Sequence, residues 1–289
     1  MSRNFLFEIL AKKRQVVAQL QSEPCNSQLR EDALEIRRTA VPHRLLQALK
    51  SESARLKIIA EFKRRSPSAG MIRRGVSSID IAHQYQRGGA CAISVLTDEA
   101  YFGGSIADLC TVRSSTNLPI LRKDFILDPI QVYEAAIAGA DAVLLIVAAV
   151  DDRSLRDLRQ AAEDQLGLDA LVEVHTSGEL RRALNAGASL IGVNNRNLQT
   201  FQVSLETSED LIAEVPDDKI AISESGLHSA ESLHHLHALG FDGFLIGETL
   251  MRATDPETAL RDLIAAAEQR PAVNDEIRMT NDERIQKSE

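Results

Sequence analysis

Short runs rich in Val, Ile and Leu recur along the chain, each followed by a polar stretch and then by apolar residues at helical spacing. Eight such runs stand out, at 57–63, 91–97, 119–125, 142–150, 169–175, 190–196, 219–225 and 243–249. Near-continuous apolar character marks strands buried on both faces, as in a parallel sheet whose crossovers are helices. Gly89, Gly139, Gly187 and Gly240 each stand just ahead of such a run, where a helix ends and glycine takes the left-handed conformation without steric cost. Helices are predicted at 128–138, with Pro129 in the first turn, and at 229–239, with Glu231 early and His237 late. Repeated βα units predict an α/β fold, the (β/α)8 TIM barrel. An open doubly wound sheet fits less well, because no GxGxxG follows the first run and polar residues end runs throughout the chain, not at one switch point.

Two segments lie outside the repeat. Residues 1–55 carry helical patterns at 5–20, 28–38 and 44–53, which predict a helical N-terminal extension able to cover a barrel end. The barrel is expected over 56–270, and 271–289, almost devoid of apolar residues, reads as a polar, disordered tail.

Composition narrows the partners. The 289 residues are 44% hydrophobic and 26% charged, close to ordinary soluble globular chains. With 33 basic and 42 acidic residues the net charge is −9, which argues against nucleic acid or an anionic membrane surface as partner. An anionic ligand must then be held by local positive groups. Aromatics make up 4% and Trp is absent, which disfavours base-stacking platforms. Cys25, Cys91 and Cys110 are odd in number and lack CxxC spacing, so no disulfide framework or zinc site is expected and a reducing cytoplasm fits. No apolar run approaches the ~18 residues of a membrane span. The expected protein is cytoplasmic, a monomer or weak homo-oligomer, acting on a small molecule.

In a barrel of this kind, polar side chains at the C-terminal ends of strands cost desolvation unless paired or used. The runs end with Glu61 and Lys63; Arg122, Lys123 and Asp124; Glu173; Asn194, Asn195, Arg196 and Asn197; Ser223, Glu224 and Ser225; and Gly247, Glu248 and Thr249. Any one of these is equally well a satisfied interior ion pair. Residues 144–150 carry no polar group, so the pattern is not common to every run. Lys63 and Lys123 with Glu61 and Glu173 can perturb one another's pKa values and supply both an acid and a base. The turns at Ser225-Gly226 and Gly247-Glu248 expose backbone N–H groups where barrels often hold a phosphate. Arg64, Arg65, Arg73 and Arg74 make the loop after the first run either a solvated basic loop or a lid over an anionic substrate. His234, His235 and His237 share one helix and fit dipole contacts better than metal ligation.

Five motifs carry a resemblance: LKIIAEFKRRSPS at 56–68, LRKDFI at 121–126, LVEVH at 171–175, GVNNRNL at 192–198 and SESGL at 223–227. In this order and across the whole barrel they resemble the indole-3-glycerol phosphate synthase family. The resemblance implies conversion of 1-(2-carboxyphenylamino)-1-deoxy-D-ribulose 5-phosphate to indole-3-glycerol phosphate, with release of CO2 and water and with no cofactor or metal. It implies Lys123 as general acid in ring closure and Glu173 as base. Lys63 would contact the substrate carboxylate or exchange acid roles with Lys123. Glu61 and Asn194 would position the ring and sugar hydroxyls, supported by Glu224 and Ser225. The phosphate would rest on Ser225, Gly226, Gly247 and the backbone of Glu248, with Arg196 and Ser66 nearby; Glu248 fits only if its carboxylate points away. A rival, phosphoribosylanthranilate isomerase, needs a Cys and Asp pair at strand ends, whereas Cys91 begins a run and Cys110 lies in a helical stretch. A non-catalytic sugar-phosphate binder would keep the turns without the Lys and Glu set.

Overall fold

The computed structural model describes residues 5–23, 27–51, 55–198 and 200–269; Cys25 and the tail at 271–289 lie outside them. Eight strands form the barrel: β1 (Lys57–Phe62), β2 (Ala92–Leu96), β3 (Ile120–Lys123), β4 (Ala142–Ile146), β5 (Asp169–Val174), β6 (Leu190–Asn194), β7 (Ile220–Glu224) and β8 (Gly243–Ile246). Each pairs in parallel with the next, and β1 closes on β8 through Ile59 opposite Leu245. Alternation along each strand divides the core. Ile58, Ala60 and Phe62 of β1 face the helices, whereas Ile59 joins Leu121, Leu171, Ile222 and Leu245 inside the barrel. The register sets Leu96 opposite Lys123, Ile146 opposite Glu173 and Asn194 opposite Glu224, so the polar strand ends share one rim.

The helices begin where the sequence offers caps. Ser77, Ser105, Asp128, Asp151, Thr176, Ser229 and Asp255 each accept a backbone N–H in the first turn that follows. All four glycine stops carry φ between +84° and +118°. One run is shorter than its apolar stretch suggests. β4 ends at Ile146, and Val147–Ala149 form a 3-10 turn whose carbonyl at Val147, like that of Val150, accepts from the Arg182 guanidinium at 3.1 and 2.6 Å.

The N-terminal extension forms α1 (Phe5–Ser22), α2 (Leu29–Arg37) and α3 (Arg44–Lys50). It touches both ends of the barrel, where the pattern suggested one. Leu45 and Leu49 of α3 plug the strand-start end against Ile59, Leu190 and Ile220. Asp169, at the start of β5, receives the Leu46 N–H at 3.0 Å and faces His43 Nδ1 at 3.0 Å. α2 packs along the outside against the helix Pro129–Ile137. α1 lies over the opposite end, where Lys13, only 7% exposed, holds Asp98 at 2.8 Å and Asp124 at 2.7 Å. Burial works against that ammonium, but the two carboxylates outweigh it and raise its pKa.

Candidate active site

Inward positions at the C-terminal rim gather three carboxylates and two ammonium groups. Lys123 Nζ donates to Glu224 Oε2 in a close pair and lies 3.7 Å from Glu173 Oε2, while Lys63 Nζ lies 2.6 Å from Glu61 Oε1. Glu61, Glu173 and Glu224 are all buried. Burial would lower the Lys123 pKa, but Glu224, Glu173 and Glu61 overturn that and raise it, so the ammonium persists through the neutral range. Burial, reinforced by Glu173 and Glu61, pushes Glu224 up to about 7 against the pull of Lys123. At Glu61 the balance is reversed: burial raises its pKa, but Lys63, Lys123 and Arg196 together bring it below its ordinary value.

Two glycines make room for this charge. A Cβ on Gly247 would strike the Glu61 carboxylate, and one on Gly192 would strike Glu224 Oε1. Neither position could carry a side chain without displacing a rim carboxylate.

Beside these groups runs a rim of turns. Ser225 (φ +67°) and Gly226 (φ +76°) are both left-handed; for a serine this is a strained backbone. Asn195 holds the turn, donating to Ser225 O at 3.1 Å and Ser223 Oγ at 3.0 Å while accepting the Ser208 N–H at 3.1 Å. Arg196 points to the same mouth, donating to Ser68 Oγ at 3.2 Å, and its backbone N–H is held by Asn194 Oδ1 at 2.9 Å. Glu248 is engaged with its own helix, its Oε1 accepting from Arg252 at 2.9 Å.

One cavity is lined by Glu61, Lys63, Ser66, Lys123, Glu173, Asn194, Arg196, Ser225, Gly226, Gly247 and Glu248. Glu224 lies beneath it, under Lys123. Other strand-end residues serve the frame. Arg122 points outward to Gln131 O at 2.7 Å and Glu134 at 2.7 Å, and Asp124 is occupied by Lys13. The basic loop is no free lid: Arg64 grips Asp108 at 2.6 Å, Arg65 donates to Glu99 O at 2.9 Å, and Arg73 to Ala253 O at 3.0 Å. Sequence reasoning missed the apolar half of the cavity. Leu144 and Ile146, inward residues of a rim segment without polar side chains, line it with Leu96, Phe125, Leu245 and, from α1, Leu6 and Ile9. His228, paired with Thr249 Oγ1 at 2.8 Å, lines it too.

A closed (β/α)8 barrel with paired ammonium and carboxylate groups at its C-terminal rim has the make-up of a barrel enzyme. The family model described as Indole-3-glycerol phosphate synthase matches residues 6–263. The chain belongs to the indole-3-glycerol phosphate synthase family. It is 44% identical over 262 residues to the indole-3-glycerol phosphate synthase of Aromatoleum aromaticum, covering 90% of this chain and 98% of that one. With the protein of the same name from Koribacter versatilis it shares 49% over 207 residues, 72% of this chain and 79% of that one. Among solved structures, 3-hexulose-6-phosphate synthase from Salmonella typhimurium superposes with a TM-score of 0.60 at 16% identity, over 74% of this chain and 99% of that one. At that identity the likeness shows the fold alone. Among the described residues no helix is long and apolar enough to cross a membrane.

Proposed function

We propose that this chain converts 1-(2-carboxyphenylamino)-1-deoxy-D-ribulose 5-phosphate to indole-3-glycerol phosphate, CO2 and water, a carboxy-lyase step of tryptophan biosynthesis, with Lys123 as general acid and Glu173 as general base. The observation that carries the residue roles is the placement of Lys123 between Glu173 and Glu224 on the floor of a cavity that is charged on one side and apolar on the other.

The chemistry asks for such a division. Ring closure needs a proton on the ribulose carbonyl oxygen as the aromatic carbon attacks it. Loss of CO2 then restores the aromatic ring, and dehydration needs a proton on the departing hydroxyl and a base for the proton that is lost. A buried ammonium kept charged by three carboxylates is a donor aimed where oxygen gathers negative charge. Lys63, tied to Glu61, is the second cation, for the substrate carboxylate or the second protonation. Leu144, Ile146 and Phe125 offer the wall for the anthranilate ring. The phosphate sits on the backbone N–H groups of the Ser225-Gly226 and Gly247-Glu248 turns, with Arg196 and Ser66 beside it. Asn194 faces the sugar hydroxyls. On this reading 56–270 is the catalytic barrel, 1–55 a helical extension whose α1 roofs it, and the enzyme is cytoplasmic, a monomer or weak homo-oligomer.

Incubation with the substrate tests the activity, followed by indole fluorescence. The chain contains no Trp, so new indole emission belongs to product. Lys123→Ala removes turnover with a native circular-dichroism spectrum; near-normal turnover in that variant defeats the assignment of Lys123.

A further inference from the structure

His175 follows Glu173 by two residues and so occupies the next inward position of β5, just past its end. Its Nε2 lies 3.6 Å from Glu173 Oε1, and both atoms are buried without a hydrogen bond. The other side of the ring is anchored. Glu179 Oε2 accepts the His175 backbone N–H at 2.7 Å and lies 3.3 Å from Nδ1. Glu179 is itself fixed in the first turn of the helix Ser177–Asn185, where its N–H is capped by Thr176 Oγ1 at 3.2 Å. Glu173 therefore stands between two nitrogen groups, with Oε1 toward the imidazole and Oε2 toward Lys123. His175 does not line the cavity, so whatever it does for the reaction passes through Glu173.

We propose that His175, clamped by Glu179, is a positioning residue that orients the Glu173 carboxylate, drawing Oε1 toward the ring and leaving Oε2 open to Lys123 and the substrate. This rests on the reading of Glu173 as the base. The charge around the ring supports it. Glu173 on β5, Glu179 on the following helix and Glu224 on β7 all face the imidazole, with Lys123 of β3 beyond Glu173 and Arg182 beyond Glu179. Burial disfavours an imidazolium there, but those carboxylates prevail and raise the His175 pKa above 6.5. A protonated ring offers Glu173 Oε1 an attractive partner; a neutral one offers less. The Glu173 orientation is then lost as pH rises through the His175 titration.

The test uses the full chain with His175→Gln, which keeps an amide donor near Nε2 without charge, and Glu179→Gln, which removes the anchor. In His175→Gln, kcat falls about tenfold, on the scale of a slightly misplaced catalytic group, while KM stays within about twofold. The decline of wild-type kcat across the imidazole titration disappears from its pH profile. By NMR the His175 ring titrates above 6.5 in the wild type and at lower pH in Glu179→Gln, a readout that needs no turnover and serves if His175→Gln fails to fold. A kcat and pH profile that superpose on the wild type, a rise in KM at unchanged kcat, or a ring midpoint unmoved in Glu179→Gln each overturn the proposal. Full activity in Glu173→Gln instead overturns the assignment of the base, while the NMR shift still reports the contact itself.

Discussion

Replacing Lys13 by Met removes one ammonium and leaves two buried carboxylates, with side-chain exposures of 4% for Asp98 and 3% for Asp124. Asp124 keeps Arg122 at 3.3 Å and the Thr97 hydroxyl at 2.7 Å, whereas Asp98 keeps the Tyr101 N–H at 2.8 Å. Removing one partner of a buried ion pair costs roughly 3–5 kcal/mol, and the partners retained by Asp124 favour the lower end. The barrel can escape that cost by letting α1 go, since both carboxylates then regain water. About 3 kcal/mol shifts the docked-to-undocked balance on the order of 100-fold. Limited proteolysis should therefore cut within 5–22 up to about 100-fold faster in Lys13→Met, well before the barrel strands are attacked. KM should rise as well, because Leu6 and Ile9 of α1 line the cavity. The raised pKa of Lys13 means that its contribution is complete below the ordinary 10.5 and is lost only as pH climbs through its higher folded value. Asp124, whose pKa burial raises but Arg122 and Lys13 bring below 3.8, contributes above that value and weakens as pH falls through its lower folded one. The clip should accordingly hold across the neutral range. Proteolysis rate, KM and melting temperature all equal to the wild type would refute the reasoning.

Three further outcomes are expected. Gly247→Ala places a methyl group against the Glu61 carboxylate and should lower kcat on the order of 100-fold with a near-native melting temperature, checked by steady-state kinetics and calorimetry. Arg196→Ala should raise KM roughly 10-fold or more with a smaller change in kcat, as the loss of one charge-assisted hydrogen bond of about 1.5–3 kcal/mol to an anionic group requires. Glu224, raised from 4.5 to about 7, contributes stability that is complete below 4.5 and lost as pH rises through about 7, so Glu224→Gln should flatten that part of the pH–stability curve measured by urea denaturation.

The barrel was legible because its strands are buried on both faces and its helices stop at glycines, two signals that do not depend on distant contacts. The charged rim was legible for a related reason: residues such as Glu61, Lys123 and Glu173 interrupt apolar runs, and an interruption in so costly a place calls for a use. Alternation also separates Lys123 from Arg122, since adjacent strand residues face opposite ways. What stayed hidden was partnership. Nothing local says that Arg64 will be spent on Asp108 and Arg73 on Ala253, so the loop read as either a solvated basic loop or a lid. Leu144 and Ile146 looked like plain core because an apolar wall for a ligand uses the same residues as an apolar wall for a helix. The apolar stripe of α1 likewise names no target; its docking over the mouth depends on Lys13 meeting two carboxylates more than 80 residues away in sequence.

The path of the first three helices bears on how the molecule is made. α1, α2 and α3 run from the mouth, down one side, to the plugged end, yet they precede every strand they touch. As the chain leaves the ribosome they emerge with nowhere to settle. β1, which follows them, waits for β8 to complete the ring, and the Gly247 turn that accommodates Glu61 arrives last of all the rim. Completion of the rim is thus deferred until nearly the whole chain is available, whereas Asp98, Asp124 and the helix Pro129–Ile137 offer partners to α1 and α2 earlier. Products cut short before β8 should therefore retain the partners of the Lys13 clip yet lack the completed site.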